Sequence, residues 1–472
     1  MKSSAHRFIQ NAEAALHDAN LQQALGKAQS GFVEKRRKAL SRLPEFEALR
    51  ETAVAIKDDV LNRLDRYLEQ FEKQVLAAGG KVHWARDAAE ANAIVLAIVA
   101  PGRKRVLKGK SMVAEEMGLN EALEAAGHEV VETDLGEYII QLAHEPPSHI
   151  IAPAVHKTRT QIADLFRSTH ADLNGARRLT EVPDLVDEAR AVLRGKFLSA
   201  DVGITGANFL IAETGQTVIV TNEGNGDLAQ TLPRVHIVTA SIEKIVPSLE
   251  DMGTLLRLLT RSATGQEITS YVTLSAGPRR ADDPDGPREF HVVLLDNGRS
   301  RMLAGPFRDM LRCIRCGACL NHCPVYQAVG GHAYGWVYPG PMGAVLTPQF
   351  VGLDGSRDLP QACTLNGRCE EVCPMKIPLP RLLRELRFQA HDRKVTSAGT
   401  RLALRFWAFG ARRPALYHAF GAMAARVLSW SARGRGVLRR VPLASGWTRA
   451  RDLPAPAGET FQSRWRRRKG HE

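Results

Sequence analysis

The segment Cys313-Ile-Arg-Cys316-Gly-Ala-Cys319-Leu-Asn-His-Cys323-Pro324 is the most informative part of this 472-residue chain. Its spacers of two, two and three residues, followed by proline, form a ligand pattern for cubane iron–sulfur clusters. Short spacers wrap the backbone closely around one cluster, and the small residues Gly317 and Ala318 allow that approach. The segment therefore predicts a small domain built around iron–sulfur chemistry.

A second run, Cys363-x5-Cys369-x3-Cys373-Pro374, contains the other three of the seven cysteines. Confinement of all cysteines to residues 313–373 argues against their use as scattered small apolar side chains. The odd count in a large chain without a secretory signal argues against a disulfide framework. Structural zinc usually takes two ligand pairs separated by a longer loop, and this spacing fits that pattern poorly. We therefore predict iron–sulfur clusters in a ferredoxin-type arrangement.

Crossed ligation, in which the last cysteine of each run binds the other cluster, assigns the ligands of two clusters. The first, a 4Fe-4S cluster, takes Cys313, Cys316, Cys319 and Cys373. The second takes Cys323, Cys363 and Cys369.

The eighth ligand position of a full pair is occupied by Asn366. The second cluster is then a 3Fe-4S cluster, or a 4Fe-4S cluster whose open iron takes water, Asn366 or a partner's residue. A labile or absent second cluster is a further alternative. Asn366 followed by Gly367 is also a strong turn signal, so a turn residue with no ligand role is equally compatible with the sequence.

The positive charge of the chain is concentrated at its C-terminal end. The chain has 64 Lys and Arg, 51 Asp and Glu, and a net charge of +13. Residues 401–472, here called the basic arm, hold 16 of the cationic and three of the acidic residues, so the rest of the chain is neutral. Binding of nucleic acid by the protein as a whole is therefore not expected.

The basic arm also contains four of the six tryptophans, Trp407, Trp430, Trp447 and Trp465. Residues 400–440 predict two Arg-rich amphipathic helices around Arg413-Pro414. Three alternatives stay open for this arm: docking of a partner subunit, peripheral contact with a membrane surface, or nucleic-acid binding. Interleaved aromatic residues favour the first two.

Between residues 82 and 296, short apolar runs alternate with amphipathic segments, which predicts an α/β domain with a largely parallel sheet. Helices are expected near residues 112–126, 158–169, 182–196 and 247–261, and residues 5–79 are expected to be helical. The predicted strands are Ile94–Val99, Glu129–Thr133, Phe209–Ala212, Gln216–Thr221, His236–Thr239, Ser270–Leu274 and Phe290–Asp296, with a hairpin around Thr214-Gly215.

A glycine-rich loop, Asn222-Glu-Gly-Asn-Gly226, follows one of these strands. Such loops often face pockets at strand ends, so Asn222, Glu223 and Asn225 are candidate ligand-binding residues, with an ordinary turn as the alternative. A dinucleotide fingerprint is disfavoured, because the 14 residues 222–235 barely accommodate a crossover helix.

Several segments together resemble the iron–sulfur subunit of lactate-utilisation systems, the LutB type, over essentially the whole chain. Besides the two cysteine runs and Arg464-Trp-Arg466, the segments that carry the resemblance are Lys110-Ser-Met-Val-Ala-Glu-Glu116, Glu132-Thr-Asp-Leu-Gly-Glu-Tyr-Ile-Ile-Gln141, Glu145-Pro-Pro-Ser-His149 and Ala212-Glu-Thr-Gly-Gln-Thr-Val-Ile-Val-Thr-Asn222.

The resemblance implies an α/β LUD domain, similar to sugar-isomerase and CoA-transferase folds, joined to a small α-helical ferredoxin-type domain. We expect a helical segment over residues 1–80, the LUD domain over 81–298, the iron–sulfur domain over 299–390 and a helical, basic segment over 391–472. The family works with two other proteins to oxidise L-lactate to pyruvate and passes electrons to an acceptor in the respiratory chain.

The functional expectation is therefore an electron-transfer subunit, and whether this chain is itself an enzyme is left open. The alternative is that the LUD domain is the catalytic or substrate-binding module for a different 2-hydroxy acid. The N-terminus lacks an apolar signal region, so a cytoplasmic location is expected, with peripheral contact at the inner face of the membrane as an extension of it.

Overall fold

A computed structural model of the chain divides by internal contacts into two units, residues 1–390 and residues 391–472. The first unit contains all seven cysteines, and the second contains the basic arm. The structure describes residues 3–170, 178–432, 434–441, 448 and 451–469.

Residues 5–79, which the sequence predicts to be helical, contain four α-helices before the first strand. The last of these helices, Leu64–Ala77, buries one of its faces in a core that also contains Phe290. The residues on that face are Leu64, Leu68, Phe71 and Val75. Spacings of three and four residues place these side chains on one side of a helix. The helices are α1 (Phe8–His17), α2 (Ala19–Ser41), α3 (Phe46–Asn62) and α4 (Leu64–Ala77).

The strands of the first unit are short and hydrogen-bond into two sheets. In chain order they are β1 (Lys81–Ala85), β2 (Arg105–Lys108), β3 (Glu129–Glu132), β4 (Val202–Gly206), β5 (Phe209–Ile211), β6 (Thr217–Thr221), β7 (Val235–Ser241), β8 (Ile245–Val246), β9 (Tyr271–Ser275) and β10 (Glu289–Leu295).

The main sheet has six strands in the order β1-β10-β7-β4-β2-β3, and all of its pairings are parallel. This confirms the predicted α/β domain with a parallel sheet. Along β10, Val292 and Leu294 join the core under α3 and α4, whereas Val293 and Leu295 join the core on the opposite face. Both faces are therefore covered, as is typical of parallel sheets.

The second sheet, in the order β8-β5-β6-β9, contains the predicted hairpin. Strands β5 and β6 pair antiparallel, with Phe209 opposite Val218. Strand β8 then pairs parallel with β5, and β9 pairs antiparallel with β6. The hairpin prediction is confirmed.

Helices connect the strands, and those over residues 112–125, 159–169, 182–198 and 249–263 lie close to the four predicted places, whereas the helices over 88–99, 135–142 and 225–231 were not predicted. Those between β1 and β10 are α5 (Ala88–Val99), α6 (Met112–Met117), α7 (Leu119–Ala125), α8 (Leu135–Leu142), α9 (Arg159–Thr169), α10 (Val182–Leu198), α11 (Asn225–Thr231) and α12 (Leu249–Ala263).

The prediction of a strand at Ile94–Val99 is wrong, because this segment is the second half of α5. The Asp87 carboxylate caps the helix by accepting from the Glu90 backbone N–H at 2.9 Å. Ala91, Val95 and Val99 recur every four residues and are the buried positions. A short, wholly apolar run does not distinguish a buried strand from a buried helix, and here the cap and the fourfold spacing favour the helix.

The cysteine-containing part, residues 299–390, is wholly described and consists of short helices and turns. It agrees with the prediction of a small helical domain. Its helices are α13 (Arg299–Leu303), α14 (Ala318–Asn321), α15 (Pro324–Val329), α16 (Gly340–Val351), α17 (Arg368–Glu371) and α18 (Leu379–Asp392).

The second unit contains the two predicted arm helices, α19 (Ala398–Ala411) and α20 (Pro414–Ala432), separated at Arg413. A two-stranded ribbon, β11 (Val437–Leu438) with β12 (Leu453–Pro454), and helix α21 (Phe461–Lys469) follow. Trp447, one of the arm tryptophans, lies outside the described residues. Among the described residues, none of the helices is both long and apolar enough to cross a membrane.

Candidate iron–sulfur centre and adjoining cavity

The four cysteines assigned to the first cluster lie together in the fold. Cys313, Cys316, Cys319 and Cys373 line one small cavity, although Cys373 is distant from the others in sequence. Gly317 supports the wrapping of the first run, because its φ of +75° is left-handed and a Cβ there would lie 3.3 Å from Ile151. Helix α14 begins directly after this glycine.

The remaining three cysteines form a second group. Burial raises the pKa of Cys369 to about 12, and the nearby charges of Cys363 and Cys323 add to that rise. Backbone N–H groups point at two of these sulfurs: Tyr326 N donates to Cys323 Sγ at 3.5 Å, and Leu365 N donates to Cys363 Sγ at 3.3 Å. The Tyr334 hydroxyl also donates to Cys323. N–H and O–H donors of this kind stabilise thiolate ligands.

Asn366 lies beside the second group in an exposed turn. Its Oδ1 accepts from the Arg368 backbone N–H at 3.1 Å, and the preceding Leu365 has a left-handed φ of +56°. In this conformation the side-chain oxygen of Asn366 accepts a hydrogen bond from the backbone of the turn in which it lies. The geometry therefore favours the turn role among the alternatives for Asn366.

The chemistry and spacing of the sulfurs fit a cluster better than a single ion. Within the described residues, which include every cysteine, no three cysteine sulfurs lie within 4.8 Å of one another. A tetrahedral zinc ion holds its sulfurs at about 2.3 Å from the metal, which requires a tighter group. Burial, with the charge of Cys373, raises the pKa of Cys316 to about 12. Such crowded thiols become thiolates when a bound metal supplies positive charge.

Two arginines from the N-terminal helices reach the second cysteine run. Arg50 Nη2 donates to the Cys373 carbonyl oxygen at 2.7 Å, and Arg36 Nη2 donates to the Val372 carbonyl oxygen at 2.9 Å. Both side chains are buried, and Arg36 Nε has no hydrogen-bond partner among the described residues. A buried cation with a spare donor suits a site that receives an anionic cluster. The sequence carried no signal for these two residues.

A buried ion network joins the main sheet to the first cysteine run. Arg299 pairs in bidentate fashion with Glu116, at 2.9 and 2.7 Å, and its Nε lies 2.8 Å from Glu243. Glu243 also pairs with Arg315 Nη2 at 3.3 Å, and Arg315 lies between Cys313 and Cys316 in the sequence. The Tyr338 hydroxyl donates to Glu116 at 2.6 Å.

Charge in this network holds one carboxylate ionised. Burial alone would raise the pKa of Glu243, but the charges of Arg299 and Arg315 lower it to about 2. The neighbouring Lys244 is buried, and desolvation together with the charge of Arg315 lowers its pKa to about 8.

A cavity of about 380 Å³ lies at the ends of the central strands. The loop residues Asn222, Glu223 and Asn225 line it, so the structure brings the three candidate ligand-binding residues to one cavity. Cationic residues that sequence analysis did not select, Lys244 and Arg315, line it as well. Desolvation and the charge of Asp134 raise the pKa of Glu223.

The glycine-rich loop is not part of a dinucleotide-binding unit. Its flanking strands β6 and β7 belong to different sheets, whereas the fingerprint requires both strands in one parallel sheet. The short helix α11 nevertheless fits between them. Asn222 is held in place by Gln266, with bonds of 3.2 and 3.1 Å between their amides.

Two other groups of potential metal-binding side chains already contain a lysine. Glu115 and Glu132 each accept from Lys108 at 2.7 Å, beside Glu137. Glu145, which lies close to His156 and His332, accepts from Lys157 at 2.5 Å. An ammonium group thus supplies the positive charge at both places.

Comparison with known families agrees with this arrangement. The chain matches the models of three families: a LUD domain over residues 68–295, a 4Fe-4S dicluster domain over 309–377, and the C-terminal region of lactate utilisation protein B over 390–470.

Curated relatives match along the entire chain. A lactate utilization protein B from Shouchella clausii is 45% identical over 98% of this chain and 97% of its own length. An Escherichia coli protein described as the uncharacterized electron transport protein YkgF is 41% identical over 100% of this chain and 99% of its own. A crystal structure of a DUF162 family protein from Deinococcus radiodurans is 15% identical, with a TM-score of 0.27, over 49% of this chain and 98% of that one.

Proposed function

Because this chain belongs to the lactate utilisation protein B family, we propose that it is the iron–sulfur electron-transfer subunit of a system that oxidises L-lactate to pyruvate. The observation that carries the proposal is the gathering of seven cysteines into a group of four and a group of three, within a match to a 4Fe-4S dicluster domain.

The clusters would supply one-electron carriers to a two-electron reaction. Oxidation of lactate to pyruvate releases two electrons and two protons, and each cluster holds one electron at a time. Cys313, Cys316, Cys319 and Cys373 would hold a 4Fe-4S cluster, and Cys323, Cys363 and Cys369 would hold a 4Fe-4S or 3Fe-4S cluster. The protein surroundings contribute Arg36, Arg50 and Arg315, which offset the negative charge of the thiolates.

The partners in this proposal are two other lactate-utilisation subunits and an acceptor in the respiratory chain. The named relatives support it, because lactate utilisation and electron transport are the two activities in their names. We further propose that the α/β domain is akin to sugar-isomerase and CoA-transferase folds, which its doubly covered parallel sheet supports.

We also propose that the basic arm binds the anionic inner face of the membrane, which would place a cytoplasmic protein beside its acceptor. From Arg393 to Arg451 the sequence contains no Asp or Glu. Large apolar side chains on α19 and α20 are exposed, including Phe406 at 70%, Trp407 at 66% and Trp430 at 75%. Apolar area combined with arginine is the pattern of helices that lie in a lipid interface.

Vesicle binding tests the arm proposal. The full chain should bind phosphatidylglycerol vesicles, with a blue shift of tryptophan emission and loss of binding in high salt, and should bind phosphatidylcholine vesicles much more weakly. The double variant W407S/W430S should bind less, whereas changing Trp84, in the first unit, to Ser should have no effect. Equal binding by the arm variant and the parent would contradict the proposal.

Cluster reduction tests the main proposal. Cluster-loaded chain is incubated anaerobically with L-lactate, with and without the two partner subunits, and cluster reduction is followed by absorbance and EPR. We expect reduction only when the partners are present. No reduction with all subunits would refute the electron-transfer role, and reduction of the chain alone would support the alternative, in which the LUD domain is catalytic.

A further inference from the structure

Most of the buried positive charge of the first unit lies around the four cysteines of the first group. Lys108 is the exception among the described residues, because it pairs with Glu115 and Glu132. The other buried Lys and Arg side chains come from α2 and α3, from the turn after β7 and from the cysteine-containing part. They are Arg36, Arg50, Lys57, Lys244, Arg299 and Arg315. Segments distant in sequence thus bring cations to one region.

Helix α3 places one of these cations beside the first cysteine run. Asp58 Oδ1 accepts from Arg312 Nε at 2.6 Å, and Arg312 directly precedes Cys313. Lys57, the neighbour of Asp58 on this helix, is 3% exposed. Desolvation lowers the pKa of Lys57 to about 8, and the charges of Glu243 and Cys313 counteract part of that shift. Lys57 is therefore a buried positive charge next to the first cluster position at pH 7.

Lys244 and Arg315 add to this charge. Lys57 Nζ donates to the carbonyl oxygen of Glu243, the residue before Lys244, at 2.5 Å. Arg315 lines the small cavity of the four cysteines and pairs with Glu243 at 3.3 Å. Desolvation and the charge of Arg315 lower the pKa of Lys244 to about 8, so this side chain also carries its proton at pH 7.

The carboxylates of this region do not balance its cations. Glu243 is shared by the two lysines and by both arginines of the network, whereas Glu116 pairs with Arg299. Four buried cations thus face two carboxylates, and Arg36 adds a further cation on the side of the second cysteine run. Buried charge without a counter-ion is costly, and an anionic cluster with four thiolate ligands offsets that cost.

The second cysteine group has different surroundings. None of the buried Lys and Arg side chains of the described residues hydrogen-bonds to Cys323, Cys363 or Cys369. Arg387, which is half-buried, donates to the Cys363 carbonyl oxygen at 2.6 Å, and the turn that contains Asn366 is exposed. Water screens the charges of exposed side chains, so these stabilise an added electron less than buried cations do.

We propose that the buried cations give the first cluster the higher reduction potential, so that a chain with a single electron holds it there, whereas the second cluster exchanges electrons at the surface. Net charge and solvent exposure are two of the factors that set the potential of a cluster. Burial alone disfavours the negative charge that reduction adds, and the excess of cations outweighs this effect. The inference rests on the proposed electron-transfer function and gives its two clusters an order.

An EPR-monitored redox titration of anaerobic, cluster-loaded full chain at pH 7 tests this order. At one electron per chain we expect reduction of the first cluster only. Asn366→Cys changes the second cluster and thereby assigns the two signals. Lys57→Met removes the charge and keeps the length of the side chain. It should lower the potential of the first cluster by at least about 59 mV, which is a tenfold change in a one-electron equilibrium, and leave that of the second unchanged.

A control and a second variant keep the test decisive. Lys73→Met, at an exposed position of α4, should leave both potentials unchanged. If Lys57→Met fails to hold clusters, Lys244→Met should lower the same potential, because it removes a neighbouring cation. A merely structural role of these lysines would change the amount of cluster bound but not the potential of the cluster that remains.

Failure of the inference is distinguishable from failure of the proposed function. Reduction of the second cluster before the first, or unchanged potentials in both lysine variants, overturns the inference and leaves the electron-transfer function standing. A chain with a single cluster has no such order and overturns it as well. A parent chain without any iron–sulfur cluster refutes the proposed function itself.

Discussion

Arg299→Met should destabilise the first unit strongly, because Arg299 neutralises two buried carboxylates. It is 1% exposed, pairs with Glu116 at 2.7 Å and Glu243 at 2.8 Å, and lies 4.9 Å from the centre of the Phe350 ring. Methionine keeps most of the apolar packing but leaves both carboxylates with less compensation. Removing one partner of a buried ion pair costs about 3–5 kcal/mol, and we expect a loss in that range.

The assay is urea unfolding of anaerobic, cluster-loaded protein at pH 7, followed by far-ultraviolet circular dichroism. At pH 7 the ionised Glu243 makes its full contribution to the free energy of unfolding. Because its pKa is lowered, this contribution is present above the ordinary pKa of 4.5 and is lost as the pH falls toward 2. Arg301→Met, two residues further on at an exposed position, is the matched control and should cost less than about 1 kcal/mol.

Comparable losses for the two variants would refute the idea that the network is a main connection between the sheet and the cysteine region. A second check is the double variant R299M/E116Q. It should be more stable than R299M alone, because one uncompensated charge is gone.

Three further predictions concern the cysteine groups. Asn366→Cys restores the eighth thiol and should give about eight irons per chain without an oxidised three-iron EPR signal, as measured by iron analysis and EPR; about four irons per chain in this variant would contradict a cluster at this position. Tyr334→Phe removes the hydrogen bond to Cys323 and should lower the potential of the second cluster in an EPR-monitored titration, whereas the potential of the first should stay unchanged. Arg50→Met removes donors to the Cys373 carbonyl at 2.7 and 3.1 Å and should speed loss of the first cluster's absorbance in a chelator; an unchanged rate would count against its supporting role.

The cysteine groups and the sheet were predictable because their signals are local or periodic. The spacing of the cysteines reflects how the chain wraps around a cluster. Short apolar runs separated by a turn identified the hairpin strands β5 and β6. The same periodicity failed at Ile94–Val99, where a wholly apolar run removes the difference between helix and strand. Strands β1, β2, β4 and β8 were missed because they are short, and the first three also contain polar or glycine residues.

The surroundings of the site could not be predicted, because they depend on contacts between distant segments. Arg50 donates a hydrogen bond to the carbonyl oxygen of Cys373, which lies 323 positions away in the sequence. No local sequence pattern predicts that an arginine will make such a contact. Lys244 follows a strand in an ordinary polar context, and only the closed fold shows that it is buried on the wall of the cavity. The glycine-rich loop was found because its composition indicates a strand end, which is a local property.

Metal analysis of anaerobically purified protein is the most direct test of whether this chain carries electrons on iron–sulfur clusters. Iron and acid-labile sulfide are measured together with EPR before and after dithionite. We predict about seven to eight irons per chain with matching sulfide, and an EPR signal that changes on reduction. Zinc in place of iron, or iron without sulfide, would contradict it.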